Sequence, residues 1–301
     1  MVTIGYKKIM IFLSTDKHPS PFDIQMMYDA GADHVIYYGE VMPENCKQII
    51  LDAMFPRGPE GVKYTAMFIG GNKPEPCVEI AEIAKKTMFP PFEIATVVDP
   101  QGGYTTAAAL VAMVEHCLKN VCGINPVEVK YAIVGGTGRV GRSAAFLLAK
   151  DGAKVRIVSR SHERAMKRSK EINEKLGVER VEGFGPAKAP EEILEACKDS
   201  EVVITTGPPG VQLVPKSVLE KLEKCRVVAD VNAVPPTGIE GLKPSKKCKP
   251  ILGNILGIGA LAIGNLKNQV EMELIKSALE APKGFFELEK AYECARKILG
   301  I

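Results

Sequence analysis

A chain of 301 residues, 46% of them hydrophobic, is long enough to bury one large core or two ordinary ones. Its 39 basic and 36 acidic residues nearly cancel, and no basic stripe interleaved with aromatics runs through it, which argues against nucleic acid as a partner. No apolar run free of glycine and charge is long enough for a signal peptide or a membrane span, so the expected location is the cytoplasm and no membrane partner is expected.

The first part of the chain alternates strand and helix patterns. Residues 8–13 form a short apolar run that ends in the turn Ser14-Thr15-Asp16, and residues 23–31 read as a helix closed by glycine. Residues 35–38 read as a strand, 44–54 as a helix, and 64–69 as a strand broken by Gly70-Gly71. An amphipathic helix over 78–87 and a strand over 92–98 follow. This alternation implies parallel strands with helices on the sheet faces. Residues 105–119 are the clearest helix, with Ala109, Leu110, Met113, Val114, Cys117 and Leu118 at helical spacing. The Gly123-Ile124-Asn125-Pro126 stretch then marks a domain boundary.

Residues 131–141 read Tyr-Ala-Ile-Val-Gly-Gly-Thr-Gly-Arg-Val-Gly, a buried-strand run breaking into a glycine turn and a helix. Gly136, Gly138 and Gly141 satisfy G-x-G-x-x-G. The first glycine suits a tight turn, the second lets a pyrophosphate approach the backbone, and the third permits close packing of helix on strand. Thr137, Arg139 and Val140 complete the expected dinucleotide loop, and the helix over 139–150 stops at Gly152. The next strand, 154–158, ends in Ser159-Arg160-Ser161. An NAD site normally carries an acidic residue there, about 20 residues past the glycines, to hold the ribose 2′-hydroxyl. Hydroxyls and a guanidinium suit a 2′-phosphate instead, so the expected coenzyme is NADP, with NAD weaker.

Further strands are expected over 202–205, 227–231 and 251–252, with a helix over 266–280 and no strand after it. Thr205-Thr206-Gly207 ends one of these strands and is expected beside the nicotinamide ribose, while Asn232 and Ala233 follow another where backbone groups meet the carboxamide. The basic run Lys-Pro-Ser-Lys-Lys-Cys-Lys at 243–249 reads as a solvated loop between two strands, the alternative being a lure for a polyanionic coenzyme. The eight cysteines are scattered, with no Cys-x-x-Cys pair and no histidine cluster beside them. That is how a reduced intracellular protein uses cysteine, as a small apolar residue, and no metal is expected. The fold class is α/β: a parallel-sheet α/β domain over 1–125 with 265–301, a Rossmann dinucleotide domain over 126–264, and a C-terminal helix returning to the first domain. The active site is expected in the cleft between the two.

Three strand-end loops are unusually polar or proline-rich: 15–23 (Thr-Asp-Lys-His-Pro-Ser-Pro-Phe-Asp), 99–109 (Asp-Pro-Gln-Gly-Gly-Tyr-Thr-Thr-Ala-Ala-Ala) and 228–238 (Val-Ala-Asp-Val-Asn-Ala-Val-Pro-Pro-Thr-Gly). With Gly31-Ala32-Asp33-His34 and Leu256-Gly257-Ile258-Gly259, they resemble the NAD(P)-dependent methylene-tetrahydromethanopterin dehydrogenases, some of which accept methylene-tetrahydrofolate. The resemblance covers essentially the whole chain. It implies a pterin-binding N-terminal domain with Thr15, Asp16, Ser20, Phe22, Asp99, Thr105 and Thr106 as candidate substrate contacts, an NADP domain, and a homo-oligomer, a trimer or hexamer.

The reaction so implied moves hydride from the methylene carbon between two pterin nitrogens to C4 of the nicotinamide, leaving a methenyl cation. No proton moves in that step, so no residue is required as acid or base. Related bifunctional enzymes carry a Tyr-x-x-x-Lys whose lysine assists water attack on the cation; none of the eight tyrosines here has a lysine four residues on, which implies no cyclohydrolase activity. Structural readings stand beside the functional ones. Asp16 and Asp23 can cap a turn and a helix, Asp99, Thr105 and Thr106 can cap the long helix, and Arg164 can be a solvated helix residue rather than a second 2′-phosphate ligand. Two other functions compete: a two-domain dehydrogenase of the shikimate type, whose Lys–Asp pair Asp16-Lys17 would supply, and a non-catalytic NADP sensor.

Overall fold

The computed structural model describes residues 5–301, which divide into two compact units, one of 5–105 with Asn268–Cys294 and one of Thr106–Lys267 with Ala295–Ile301. The division runs through the long helix rather than through the 123–126 segment.

The first unit contains β1 (Ile9–Ser14), α1 (Pro21–Asp29), β2 (His34–Tyr38), α2 (Cys46–Met54), α3 (Gly58–Gly61), β3 (Thr65–Gly70), α4 (Pro74–Thr87), β4 (Ala95–Val98) and the start of α5 (Gly103–Cys117). Its strands and a late one form a five-stranded sheet, every pairing parallel. Period-two alternation sorts the side chains: Ile11, Leu13, Met67 and Ile69 join one core with Ile50 and Met54 of α2 and Ile80 and Ala84 of α4. Phe12 and Phe68 point to the other face and meet edge to face, with ring centroids 5.3 Å apart.

The second unit contains β5 (Lys130–Val134), α6 (Arg139–Lys150), β6 (Lys154–Val158), α7 (His162–Leu176), β7 (Val181–Phe184), α8 (Pro190–Cys197), β8 (Val202–Thr205), α9 (Lys216–Leu219), β9 (Val227–Asp230), β10 (Lys247–Leu252), β11 (Ile255–Ile258) and the first part of α10 (Ala260–Glu280). The sheet runs β10-β11-β9-β8-β5-β6-β7, parallel except for the β10–β11 hairpin, which is the Rossmann order with one antiparallel strand added at an edge. Beyond α10 come β12 (Phe285–Phe286), which pairs with β4 in the first sheet, and α11 (Leu288–Leu299).

Several expectations need correction. The segment after 280 does contain a strand, β12; two residues are too few for periodicity to register. The run 243–249 is not wholly a loop, because Lys247 to Lys249 open β10, an edge strand on which exposed lysines and Pro250 are tolerated. The strand expected from 92 begins at Ala95, since the 89–92 segment turns, with Phe92 N–H donating to Phe89 O. Helix α5 ends at Cys117 and passes into one π turn, Leu118–Cys122, closed by Gly123 at φ 67°.

The cysteine reading also changes. Cys117 at the end of α5 and Cys248 on β10 are joined as a disulfide. Cys248 sits at a bulge with φ 52°, and spacing in sequence gives no hint that the two meet. The other six cysteines are free, and burial pushes the thiols of Cys77, Cys197 and Cys225 up to about 12, so these three do serve as small core residues. No helix among the described residues is long and apolar enough to cross a membrane.

Candidate functional site

The strand order of the second unit reverses between β5 and β8, the place where open α/β sheets bind ligands beyond the carboxyl ends of their strands. The glycines there do different jobs. Gly135, which lies outside the motif, makes the tight turn: it has φ +76°, and a Cβ on it would lie 3.1 Å from Gly207 N. Gly136 keeps ordinary backbone angles and closes the same turn, donating its N–H to Ile133 O at 3.1 Å; a Cβ on it would sit 2.7 Å from that oxygen, so the turn needs both glycines. Gly141 packs α6 on the strand, with 2.5 Å between an added Cβ and Gly136 Cα. Gly138 differs from the others: a Cβ would meet nothing nearer than Gly135 O at 3.9 Å. It is the N-cap of α6 without a side-chain cap, which leaves the positive end of that helix for an anion to meet. Thr137 is half-buried in the same loop.

At the end of β6, Ser159 is buried and Arg160 exposed. Ser159 Oγ accepts the Ser161 N–H at 3.2 Å, and Ser161 Oγ caps α7 by accepting the Arg164 N–H at 3.3 Å. Each hydroxyl therefore keeps its own O–H to donate. With the Arg160 guanidinium and the N-terminus of α7 beside them, the donor set fits a phosphate dianion. The wall behind was not legible in the sequence: His162 Nδ1 meets Gly185 O at 3.0 Å, and a Cβ on Gly185 would press on Ser159 O at 2.6 Å.

On the other side of the crevice, Thr206 N–H donates to Val134 O at 3.0 Å and its Oγ1 donates to Gly135 O at 3.2 Å, holding Gly207 against the glycine turn. Thr205, expected as a coenzyme contact, is fully buried and donates its hydroxyl to Asp230 at 2.7 Å. Asn232 is buried as well; its Oδ1 accepts the Val234 N–H and its Nδ2 donates to Pro236 O. Both brace the loops, and the groups they leave exposed or half-exposed are Thr206, Gly207 and Ala233.

In the first unit, parallel pairing brings the carboxyl ends of β1, β3 and β4 to one edge of the sheet. Asp16 Oδ1 accepts the Asn72 N–H and Oδ2 its side-chain N–H, both at 2.9 Å, and Thr15 Oγ1 accepts the Lys73 N–H at 3.3 Å. Asn72 and Lys73 carried no functional signal beyond following Gly70-Gly71. A Cβ on Gly71 would overlap Thr15 Oγ1, which is why this crossing needs glycine. Asp99 is buried and accepts the Tyr104 N–H at 2.8 Å and the Thr105 hydroxyl at 2.5 Å, capping α5 from below. Thr15 and Thr105 are thus enclosed, Ser20 caps α1 by accepting the Asp23 N–H, and Phe22 stands 45% exposed. Thr106 is half-buried in the first turn of α5, and Lys17 and His18 are exposed.

The chain is 34% identical to the NAD(P)-dependent methylenetetrahydromethanopterin dehydrogenase of Methylorubrum extorquens, over 98% of this chain and 99% of that one. It belongs to the methylenetetrahydromethanopterin dehydrogenase family. A second protein of that organism, the bifunctional protein MdtA, is also 34% identical, over 97% and 99% of the two chains. Residues 21–101 match the N-terminal domain model of methylene-tetrahydromethanopterin dehydrogenase, and 104–273 match the C-terminal domain model of alanine dehydrogenase and PNT. Among solved structures, a shikimate 5-dehydrogenase from Mycobacterium fortuitum superposes with TM-score 0.52 at 14% identity, covering 94% of this chain and all of the other. At that identity the likeness speaks for the dehydrogenase's two-domain fold alone.

Proposed function

We propose that this member of the family transfers hydride between methylene-tetrahydromethanopterin, or methylene-tetrahydrofolate, and NADP, giving the methenyl-pterin cation without hydrolysing it. The observation that carries this reading is the end-to-end match to a methylenetetrahydromethanopterin dehydrogenase, with almost no residue of either chain left over.

The residues divide the work. Gly136, Thr137, Gly138, Arg139, Val140 and Gly141 would hold the pyrophosphate on the N–H groups of α6, and Ser159, Arg160 and Ser161 the 2′-phosphate. Thr206, Gly207 and Ala233 would pass the nicotinamide half, with Thr205 and Asn232 bracing them from inside. When bound, NADP supplies the nicotinamide C4 that accepts the hydride. On the pterin side, Asp16, Ser20, Phe22 and Thr106 are the candidate contacts, while Thr15, Asp99 and Thr105 fix the loops that present them. A fixed carboxylate such as Asp16 favours the positive charge that develops on the substrate. Hydride transfer needs orientation more than proton exchange, so these loops act by holding geometry.

The missing Tyr-x-x-x-Lys supports a dehydrogenase without cyclohydrolase activity. The end-to-end match favours this reading over the shikimate-type alternative, to which the likeness is one of fold alone. A homo-oligomer, trimer or hexamer, completes the proposal and is read by light scattering. The deciding assay follows methenyl absorbance with both methylene-pterins, each with NADP and NAD. Turnover with at least one pterin is expected, faster with NADP. No methenyl product from either would refute the function, and net hydrolysis of added methenyl-pterin would refute the monofunctional claim.

A further inference from the structure

A buried carboxylate with three donors organises the far wall of the coenzyme crevice. Strands β8 and β9 end in register, Thr205 opposite Asp230. Asp230, 1% exposed, accepts the Thr205 hydroxyl at 2.7 Å and the Asn232 N–H at 3.0 Å on Oδ1, and the Gly238 N–H at 2.7 Å on Oδ2. Together these donors oppose the burial that pushes the carboxyl above its usual range. One side chain thus clasps both ends of the 231–238 loop and the last residue of β8.

The clasp is built into the surrounding sequence. A Cβ on Gly238 would lie 2.7 Å from Asp230 Oδ1 and 2.8 Å from Thr205 Oγ1, so only glycine brings that N–H into range. Gly238 O in turn accepts the N–H groups of Leu213 and Val214, which ties in the loop that follows β8. The loop's outer residues, Ala233 to Pro236, remain exposed. Both loops stand where a Rossmann sheet presents the nicotinamide half, whereas the pyrophosphate and 2′-phosphate ends rest on β5 and β6.

We propose that Asp230 is a positioning residue for the nicotinamide, acting through the 206–213 and 231–238 loops without touching the coenzyme itself. The proposal rests on the dinucleotide-dependent reading above, and its test separates the two ends of the ligand. The probes are NADPH, which carries the nicotinamide, and 2′,5′-ADP, which lacks it, applied to the whole chain. Asp230→Asn keeps the shape but turns an acceptor into a donor facing N–H groups, and is expected to weaken NADPH binding and lower kcat by roughly tenfold or more. Affinity for 2′,5′-ADP should stay within about twofold, since no contact at that end changes. Bound NADPH should also lose the emission shift that an ordered nicotinamide shows. Thr205→Val, which removes one donor and leaves the carboxylate in place, should give the same pattern in weaker form.

Unchanged NADPH affinity, emission and kcat in Asp230→Asn would overturn the proposal. So would an equal loss of affinity for NADPH and 2′,5′-ADP in both variants, which would mark Asp230 as generally structural. A wild-type chain that binds both probes but converts neither pterin would refute the substrate reading alone, and the binding pattern would still decide for or against Asp230.

Discussion

Asp16 and Asn72 face each other across two loops and share a pair of hydrogen bonds, each 2.9 Å long. The pair locks the loop after β1 to the loop after β3, so neither residue acts alone. Asn72→Ala should raise the pterin KM about three- to tenfold through the loops, and Asp16→Ala by more, since it also removes a candidate substrate contact. The double variant should be no worse than the poorer single one, as expected for partners in one interaction. Steady-state KM values for the four proteins check this; equal effects of the two single variants would mean that Asp16 only braces the loops.

Gly138 and Gly141 differ in the room the fold leaves around them. Gly138→Ala places its methyl in open space and should leave the melting temperature unchanged while weakening NADPH binding at least tenfold or so. Gly141→Ala drives a methyl into Gly136 and should lower thermal stability as well. Melting curves and NADPH titrations on the two variants separate these effects.

Arg160 is the charge that distinguishes a phosphate from a hydroxyl at the end of β6. Arg160→Glu should raise the KM for NADP by about tenfold or more and change that for NAD far less. Equal changes in the two KM values would remove Arg160 from the 2′-phosphate site.

The Cys117–Cys248 bond closes a long stretch of the second unit, with 131 residues of sequence separation. Cross-links of such span typically contribute about 2–4 kcal/mol, chiefly by restricting the unfolded chain. Cys248→Ser should therefore melt well below the wild type under oxidising conditions and match it in reductant. Alkylation of the unreduced, denatured protein should label six thiols.

Much of this architecture was legible because its signals are local. Buried parallel strands such as β5 and β6 are short apolar runs bounded by glycine or serine, and α6 lies between Gly138 and Gly152. The glycine motif located the crevice but left out Gly135, whose part in the turn lies in its backbone angle, which side-chain identity does not record. Thr205 looked like a coenzyme contact because it ends a strand; only three dimensions reveal that its hydroxyl points inward to Asp230 and that the Asn232 side chain braces its own loop. The disulfide, the β10–β11 hairpin and β12 depend on distant partners or on strands too brief to show a period.

The placement of β12 bears on how the protein is made. Its two phenylalanines cover the outer edge of β4, yet they emerge from the ribosome only after every strand of the other sheet. Throughout that interval β4 presents unsatisfied backbone groups, the kind of edge that recruits foreign strands. The sheet of the first unit is thus completed only when the last part of the chain appears, and shortening the chain before Phe285 would leave that edge of β4 open.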